Sequence, residues 1–240
     1  MATKDWQERT KLLLKEDNFL KLEKANVLVV GLGGVGGYAA ENLCRAGIGN
    51  MTIIDADTVN YSNRNRQIIA LKSTEGQPKV EIFKARLLDI NPDLNLLTYN
   101  EFMHHESIEE LLTKNKYDYI VDAIDTLTPK LFLIFHAINK NIKIVSSMGA
   151  GGRSDATQIY IDDISKSKHC RLAFVVRKKL RKMGIEKGFK VVYSREFTEK
   201  ESEQQVFDER NKKTTLGTIS YMPAIFGCYC AYVVINDIIE

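Results

Sequence analysis

A glycine-rich loop with the spacing GxGxxG follows an apolar run, NVLVV, that begins at Asn26 and is typical of a buried strand. The glycines of the loop are Gly31, Gly33, Gly34 and Gly36, and a helical pattern, YAAENLCRAG, follows them. Gly31 and Gly33 permit a tight turn and close backbone approach, Gly36 permits close packing of helix on strand, and the helix N-terminus offers N–H groups to phosphate. The loop therefore predicts a nucleotide-binding site.

An acidic residue lies at a useful distance from this loop. Asp55 ends the next apolar run, NMTIID, about 20 residues past the loop, where a carboxylate accepts hydrogen bonds from a ribose. Asp57 is typical of a turn and is also a candidate for a second nucleotide contact. An NAD-dependent dehydrogenase and an ATP-using enzyme are described equally well by these residues.

Two cations and a further carboxylate separate these two classes of enzyme. A triphosphate that is cleaved carries more charge than a dinucleotide pyrophosphate and calls for cations. Arg66 lies in a polar segment after Asp55, and Lys79 lies in the first turn of a helix predicted to begin near Pro78. Asp125 follows a later strand, at the same sheet edge, where a carboxylate suits Mg²⁺. These residues favour ATP with Mg²⁺ over a nicotinamide cofactor.

The elements that must position these residues alternate along the chain. Short Val- and Ile-rich runs separated by helical patterns of ten to fifteen residues indicate βαβ units. We predict an α/β fold, a Rossmann-like, mostly parallel sheet with helices on both faces. One domain is expected over residues 1–240: a helical arm (1–25), a nucleotide-binding core (26–152) and an irregular substrate or dimer extension (153–240).

Composition sets further limits. The 240 residues are 44% hydrophobic and 27% charged, which excludes disordered and fibrous classes, and the net charge of +3 neither requires nor excludes a nucleic-acid partner. Four cysteines without a CxxC pair favour a reducing, cytoplasmic setting, as does an N-terminus that lacks a signal-peptide apolar core. The uncharged stretch from Thr214 to Ile235 is interrupted by Gly217, Pro223 and Gly227, so a buried helix is favoured over a membrane span.

In these motifs the sequence resembles the ATP-dependent adenylating enzymes related to ubiquitin activators and to the thiamine- and molybdopterin-pathway adenylyltransferases. The motifs that carry the resemblance are the Gly31 to Gly36 loop, Asp55 with Asp57, Ser62-Asn63 through Arg66-Gln67, Lys79 and Asp125. The resemblance implies that Asp55 binds the ribose, that Asn63, Arg66 and Lys79 hold the triphosphate, with Gln67 and Asp57 also at the ATP site, and that Asp125 ligates Mg²⁺. It further implies that Arg9 reaches from one subunit of a homodimer into the other subunit's ATP site.

Within this family the chain most resembles the tRNA threonylcarbamoyladenosine dehydratases, through the segments that contain Arg9, Ser147 to Gly152 and Gly217 to Pro223. That resemblance implies an enzyme that adenylates the threonine carboxylate of a modified adenosine in tRNA, after which the ureido nitrogen closes a ring and expels AMP. The alternatives are an adenylyltransferase for a ubiquitin-like sulfur carrier, disfavoured by the missing CxxC pairs, a nicotinamide dehydrogenase and a non-catalytic nucleotide sensor. A sulfur-relay partner protein is left open.

A basic segment follows His169 and Cys170. Its cations Arg177, Lys178, Lys179, Arg181 and Lys182 lie in a predicted helix, and such a cluster suits either a solvated face or phosphate-backbone contact. With the family resemblance, we expect tRNA to bind here.

The remaining cysteines and histidines are expected to be structural. Cys44, Cys228 and Cys230 are interpreted as packing residues. His104 and His105 are predicted to be ordinary surface residues, and His136 is predicted to be a core histidine with satisfied hydrogen bonds.

Overall fold

The computed structural model describes residues 6–197, 203–205 and 214–240, in which strands and α-helices alternate along the chain. The strands are β1 (Asn26–Val30), β2 (Asn50–Ile54), β3 (Asn95–Tyr99), β4 (Tyr119–Asp122), β5 (Lys143–Ser147), β6 (Ile159–Asp163), β7 (Lys190–Ser194), β8 (Glu203–Gln205) and β9 (Thr214–Leu216). The helices are α1 (Glu8–Leu14), α2 (Glu16–Lys24), α3 (Gly36–Ala46), α4 (Lys79–Ile90), α5 (His105–Lys114), α6 (Leu127–Asn139), α7 (Arg171–Lys182) and α8 (Tyr221–Ile239).

Seven strands form one sheet in the order β3-β2-β1-β4-β5-β7-β6. All neighbouring pairs are parallel except β6 with β7, which is antiparallel, and β8 pairs with β9 separately. The apolar runs form strands because both faces of a mostly parallel sheet are covered and must be hydrophobic. The predicted α/β fold with a mostly parallel sheet is confirmed, and the first part of the extension, through β6 and β7, completes its edge.

Helices cover both faces of the sheet, as predicted. Along β1, Val27 and Val29 belong to a hydrophobic cluster shared with α3, α4 and α8. Leu28 and Val30 belong to a second cluster, shared with α5, α6 and α7. This alternation follows from the period of two in a strand, which sends successive side chains to opposite faces.

The N-terminal arm is helical, but it is divided into α1 and α2. Lys15, between them, has a φ of 70° and a ψ of 157°, a positive-φ conformation at which the first helix ends. None of the residues of α1 is buried, and Leu12 and Leu13 are 69% and 79% exposed. The arm therefore presents apolar side chains that the described part of the chain does not cover.

The C-terminal helix α8 is, among the described residues, the one helix long and apolar enough to cross a membrane. One of its faces, which includes Met222, Phe226, Cys230 and Val234, is buried against the first hydrophobic cluster. In all, 44% of its apolar window is buried, so the predicted burial agrees with one face of α8.

The carboxyl ends of the parallel strands place the predicted functional residues at one edge. Strands β1 and β4 are neighbours, so the order of the sheet reverses between them. In open α/β sheets the crevice at such a reversal is the usual ligand site. Gly31 follows β1, Asp55 follows β2 and Asp125 follows β4, so the reversal lies among the residues predicted to bind ATP.

Candidate active site

The glycine loop is fixed by two close backbone approaches. Gly31 has a φ of 89°, and a Cβ there would lie 2.8 Å from the carbonyl oxygen of Ala123 at the end of β4. A Cβ on Gly36 would lie 1.7 Å from the Gly31 carbonyl oxygen. Neither position accepts a side chain, so both glycines are required by the turn and by the seating of α3 on the sheet.

The other two glycines of the loop have different surroundings. A Cβ on Gly34 would lie 2.9 Å from the Pro223 Cβ and 3.4 Å from the Arg66 Cγ. At Gly33 the nearest atom to such a Cβ is the Gln67 Nε2, at 3.8 Å. Gly33 thus leaves space above the loop, and the predicted phosphate site has its open side there.

Gln67 borders that space. The residue is only 8% exposed, and its Oε1 is a buried acceptor with no hydrogen-bond partner among the described residues. Buried polar atoms without a partner are rare in folded proteins. The orphaned oxygen suits a donor group on a bound ligand and agrees with the predicted contact between Gln67 and the nucleotide.

Asp55 joins the glycine loop to the end of β2. Its carboxylate accepts hydrogen bonds from the backbone N–H groups of Leu32 at 2.6 Å and of Asp57 at 2.8 Å. Burial raises the pKa of Asp55, while Lys79 and the Leu32 N–H oppose that increase. The Leu32 contact places the predicted ribose-binding carboxylate directly against the predicted phosphate loop.

Lys79 is the first residue of α4 and is 4% exposed. Its Nζ lies 2.8 Å from the Asp57 Oδ2 and 3.8 Å from the Asp55 Oδ1. The buried ammonium is thus compensated by two carboxylates, one of them on a side chain that is 72% exposed. The structure brings Lys79 to the predicted ribose residue, and it adds the Asp57 ion pair, which the spacing of the sequence did not indicate.

The polar segment after β2 is a short 3₁₀ turn, Tyr61–Asn63, followed by Arg66. The Asn63 side chain accepts a hydrogen bond from the Asn60 N–H at 3.1 Å, so it caps the turn. The Arg66 Nη1 donates to the Ser62 carbonyl oxygen at 3.1 Å and to the Asn65 Oδ1 at 2.8 Å. These bonds hold the guanidinium against its own turn, and the Arg66 Cγ lies next to Gly34 of the loop.

Asp125 is exposed and follows β4, in the loop whose backbone contacts Gly31. Mg²⁺ is usually held through one or two carboxylates together with substrate phosphates and water. A single exposed carboxylate next to the phosphate loop is therefore the kind of donor that Mg²⁺ requires.

Behind Asp125 lies a fully buried polar cluster that the sequence analysis did not identify. Asp122 and Lys130 are both 0% exposed, and the Lys130 Nζ donates to the Asp122 Oδ2 at 2.7 Å. The same Nζ contacts the Ser146 Oγ at 3.1 Å and the Ser147 carbonyl oxygen at 3.0 Å. The cluster ties the ends of β4 and β5 to α6. The sequence feature that could have predicted this cluster is Lys130 itself, a lysine within the otherwise apolar helix α6.

The segment Gly217 to Pro223 also takes part in the site. The Gly217 carbonyl oxygen accepts from the Gly152 N–H at 2.7 Å, and the Thr218 carbonyl oxygen accepts from the Asn65 side chain at 2.9 Å. Pro223 packs against Gly34. The C-terminal segment thus joins the loop after β5 to the Arg66 turn, and its contact between Thr218 and Asn65 spans 153 residues of sequence.

A cavity of about 590 Å³ lies between the loops that follow β3 and β4. Its wall includes Phe102, Met103, Thr126 and Leu127. The cavity lies at the same edge of the sheet as the glycine loop. Two of its lining residues, Thr126 and Leu127, directly follow Asp125 in the chain. Its apolar part suits a flat, weakly polar group such as a purine.

Two groups of predicted residues lie away from this site. Arg9 is exposed on α1, and no contact joins it to the glycine loop in the described part of the chain. In α7, Lys178, Lys179, Arg181 and Lys182 are exposed, whereas Ala173, Val176 and Leu180 pack inward. Arg177 instead donates to the Ser167 carbonyl oxygen at 2.7 Å and also contacts the Ser167 hydroxyl.

Three of the four cysteines are buried and Cys228 is exposed. Burial raises the pKa of Cys44 and of Cys230 to about 12, so neither is a ready nucleophile. The packing role predicted for Cys44 and Cys230 agrees with their burial, whereas Cys228 is exposed, and its Sγ accepts a hydrogen bond from the Asn42 side chain at 3.7 Å.

The chain is similar to known proteins over nearly its whole length. The ThiF family matches residues 7–239. A tRNA threonylcarbamoyladenosine dehydratase of Bacillus subtilis is 37% identical over 239 residues, 97% of this chain and 94% of the relative, and that of Escherichia coli is 37% identical over 77% of this chain and 70% of the relative.

Solved structures agree with the sequence comparison. The crystal structure of E. coli tRNA N6-threonylcarbamoyladenosine dehydratase in complex with ATP superposes with a TM-score of 0.88 at 31% identity, covering 99% of this chain and 96% of that one. A complex of the same enzyme with AMP gives 0.87. The glycine loop, Asp55 and Lys79 lie at one edge of a sheet whose fold these structures share. Because the family model matches residues 7–239, the chain belongs to the ThiF family.

Proposed function

We propose that this protein is an ATP-dependent tRNA-modifying enzyme that adenylates the carboxylate of threonylcarbamoyladenosine and cyclises it, releasing AMP and pyrophosphate. The observation that carries the proposal is the 2.6 Å contact between the Leu32 N–H and Asp55, with Lys79 buried beside it. This contact brings together the predicted phosphate loop, the predicted ribose acceptor and a buried cation, and an ATP-using site needs such a set.

The first step joins two negatively charged partners. A substrate carboxylate oxygen attacks the α-phosphorus of ATP, the bond to the β-phosphate oxygen breaks, and pyrophosphate leaves. Arg66 and Lys79 stabilise the charge that develops on the phosphates. The backbone of the Gly31 to Gly36 loop holds the phosphates in position for attack by the carboxylate. Mg²⁺ held at Asp125 would supply further neutralisation of the triphosphate.

The second step needs no protein nucleophile. The ureido nitrogen of the same modified nucleoside attacks the acyl carbon of the mixed anhydride, loses its proton, and AMP leaves as the ring closes. Because both groups belong to one molecule, the reaction gains the large effective concentration of an intramolecular attack. The raised pKa values of Cys44 and Cys230 are consistent with chemistry that uses no thiolate.

The comparisons favour this activity over transfer to a sulfur carrier. Relatives named tRNA threonylcarbamoyladenosine dehydratase match 97% and 77% of the chain, whereas a molybdopterin-synthase adenylyltransferase of Haemophilus influenzae matches 45%. The sulfur-relay partner stays a prediction. A cytoplasmic location is proposed, because the protein must meet tRNA and ATP.

The activity is tested by mass spectrometry of nucleosides from tRNA incubated with the protein, ATP and Mg²⁺. We expect loss of threonylcarbamoyladenosine, gain of its cyclic form and release of AMP with pyrophosphate. Arg66→Ala should lower turnover about a hundredfold to a thousandfold, the cost of one preorganised transition-state donor.

The matched control is Arg64→Ala. Arg64 lies two residues away, pairs with Glu75 and stacks on Tyr61, so its loss should change turnover by only a few-fold. Release of ADP, or equal losses in the two variants, would contradict the proposal. Adenylation of a sulfur-carrier protein, with tRNA unchanged, would instead support the alternative.

For tRNA we propose the outer face of α7. Lys178, Lys179, Arg181 and Lys182 are exposed there, whereas Arg177 supports the surface through Ser167. Each phosphate contact lowers log affinity by roughly 0.7 to 0.9 per unit of log salt. Changing Lys178, Lys179 and Lys182 to Gln should weaken tRNA binding and reduce this slope by about two to three, with ATP binding retained.

The control for this surface removes charge elsewhere. Lys24 and Lys84 are exposed on α2 and α4, which pack on the other side of the sheet from α7. Their replacement by Gln should leave tRNA affinity within about twofold. Unchanged affinity and slope in the α7 variant would show that tRNA binds at another surface.

We also propose a homodimer in which Arg9 enters the partner subunit's ATP site. The exposed Leu12 and Leu13 on α1 provide an apolar surface for such a contact. Mixing an Arg9→Ala chain with a Lys79→Ala chain should then restore one working site per mixed dimer. Absence of recovery in mixed dimers isolated by two affinity tags would place the action of Arg9 within its own chain.

A further inference from the structure

A second group of ligating side chains lies outside the ATP site, where α5 packs against α6. His105 and Glu109 are one turn apart on α5, and His136 faces them from α6. The ligand atoms of all three residues lie within 4.8 Å of one another. The imidazole rings of His105 and His136 are 4.9 Å apart between centroids.

His136 is the member of this group that needs explanation. The residue is 7% exposed, and its Nε2 is buried without a hydrogen-bond partner in the described structure. The prediction of a core histidine with satisfied hydrogen bonds is therefore wrong. An orphaned ring nitrogen beside a second imidazole and a carboxylate is a costly arrangement unless a ligand completes it.

The electrostatics of His136 favour the neutral ring. Burial lowers the pKa of His136, and the neighbouring His105 and Lys140 lower it further, while Glu109 opposes them. A metal ion binds neutral imidazole, because the ligating nitrogen must carry a lone pair.

We propose that His105, Glu109 and His136 form a binding site for a divalent transition-metal ion of the zinc type. Two imidazoles and one carboxylate are a set that Zn²⁺ accepts, whereas Mg²⁺ prefers oxygen ligands alone. Ligands about 2.1 Å from a tetrahedral ion lie about 3.4 Å apart. Small rotations of the exposed Glu109 and half-buried His105 side chains therefore bring the donors to bonding distance.

The site has an access route and a structural consequence. His105 also lines the cavity described above, so the cavity is the side from which an ion and a fourth, non-protein ligand would approach. His136 lies nine residues after Leu127, the first residue of α6, or about 14 Å along the helix. The site is thus separate from Asp125, and an ion there would restrain α6 against α5 behind the cavity.

Metal-free protein titrated with Zn²⁺, and separately with Co²⁺, tests the site. We expect one ion per chain, a tetrahedral Co²⁺ absorption spectrum without thiolate charge transfer, and a higher thermal midpoint with Zn²⁺. His105→Gln and Glu109→Gln should each lower Zn²⁺ affinity by at least about tenfold, since even an outer partner of a ligand contributes 10- to 100-fold.

The matched controls are His104→Gln and Glu106→Gln, which alter the same helix start outside the cluster. They should keep Zn²⁺ affinity within about twofold. Equal losses in controls and cluster variants, a thiolate charge-transfer band, or no binding by the unmodified chain would each overturn the site. Because His136 is buried, its replacement could also reduce the stability of the fold. The test therefore uses the variants of His105 and Glu109 on α5. Nucleotide binding, measured in the same Glu109→Gln sample, keeps this test independent of the proposed enzyme activity.

Discussion

Lys79 and Lys130 are two buried lysines paired with aspartates near the same edge of the sheet, and their surroundings differ. Lys130 has three partners, Asp122, Ser146 and the Ser147 carbonyl oxygen, which match its three N–H donors, and it is 0% exposed. Lys79 has one short contact, to Asp57, and a longer one to Asp55. Its main partner is largely in solvent.

The difference indicates a division of roles. A lysine with all donors satisfied by the protein has nothing to offer a ligand, so the Lys130 cluster serves the fold. A lysine held by an exposed carboxylate can exchange part of that contact for a phosphate oxygen at small cost. The number and exposure of the partners, more than burial itself, separates the structural cation from the one proposed to act on ATP.

The largest expected effect comes from Lys130→Met. The substitution leaves the Asp122 carboxylate buried without its cation, and removal of one member of a buried ion pair costs about 3–5 kcal/mol. Urea unfolding monitored by circular dichroism measures this change. Adding Asp122→Asn should recover part of the loss, because the remaining group is then uncharged. A loss below about 1 kcal/mol would remove the distinction drawn between the two lysines.

Lys79→Ala is expected to affect turnover more than stability. AMP formation in a single turnover should slow about a hundredfold to a thousandfold, because a cation near the reacting phosphates is lost. The free energy of unfolding should fall by less than in Lys130→Met, since Asp55 keeps its bonds to Leu32 and Asp57. A severe loss of stability with normal turnover per folded molecule would assign Lys79 to the fold instead.

Ser146→Ala sharpens the structural side of the comparison. The Ser146 hydroxyl donates to the Asp122 Oδ2 at 2.5 Å and accepts from Lys130. Its removal leaves both charged partners in place, so we expect a loss of about 1–3 kcal/mol, the range for a hydrogen bond to a buried charge. Urea unfolding gives the value, and a loss equal to that of Lys130→Met would mean that the cluster acts as one indivisible unit.

Asp57→Asn should have the smallest effect. Its side chain is 72% exposed, so solvent screens the ion pair with Lys79, and stability should change by less than about 1 kcal/mol. Turnover should fall by less than tenfold, because the amide still accepts a hydrogen bond from Lys79. A hundredfold loss, measured as AMP formation, would show that Asp57 contacts the nucleotide or its metal directly.

The sequence by itself determined the sheet, its helical layers and the order of the motifs predicted to bind ATP. Apolar runs of strand length reflect the periodicity of a buried strand, and Gly31 and Gly36 reflect the geometry of a tight turn with close backbone contacts. Both are local requirements of the chain. Asp55 was also predicted from local features, because it directly follows an apolar run of strand length about 20 residues after the loop. Such features can be read from a single segment.

Only the tertiary structure decided which side chains are partners. The Asn65 side chain donates to the Thr218 carbonyl oxygen, Asp57 pairs with Lys79, and Asp122 accepts from Lys130 and Ser146, all through contacts that join different elements. His136 was misjudged for the same reason, because α5 brings His105 and Glu109 to it from more than 25 residues away in sequence. Burial, charge compensation and ligation depend on which elements pack against each other. A pattern within one segment of the sequence does not specify that packing.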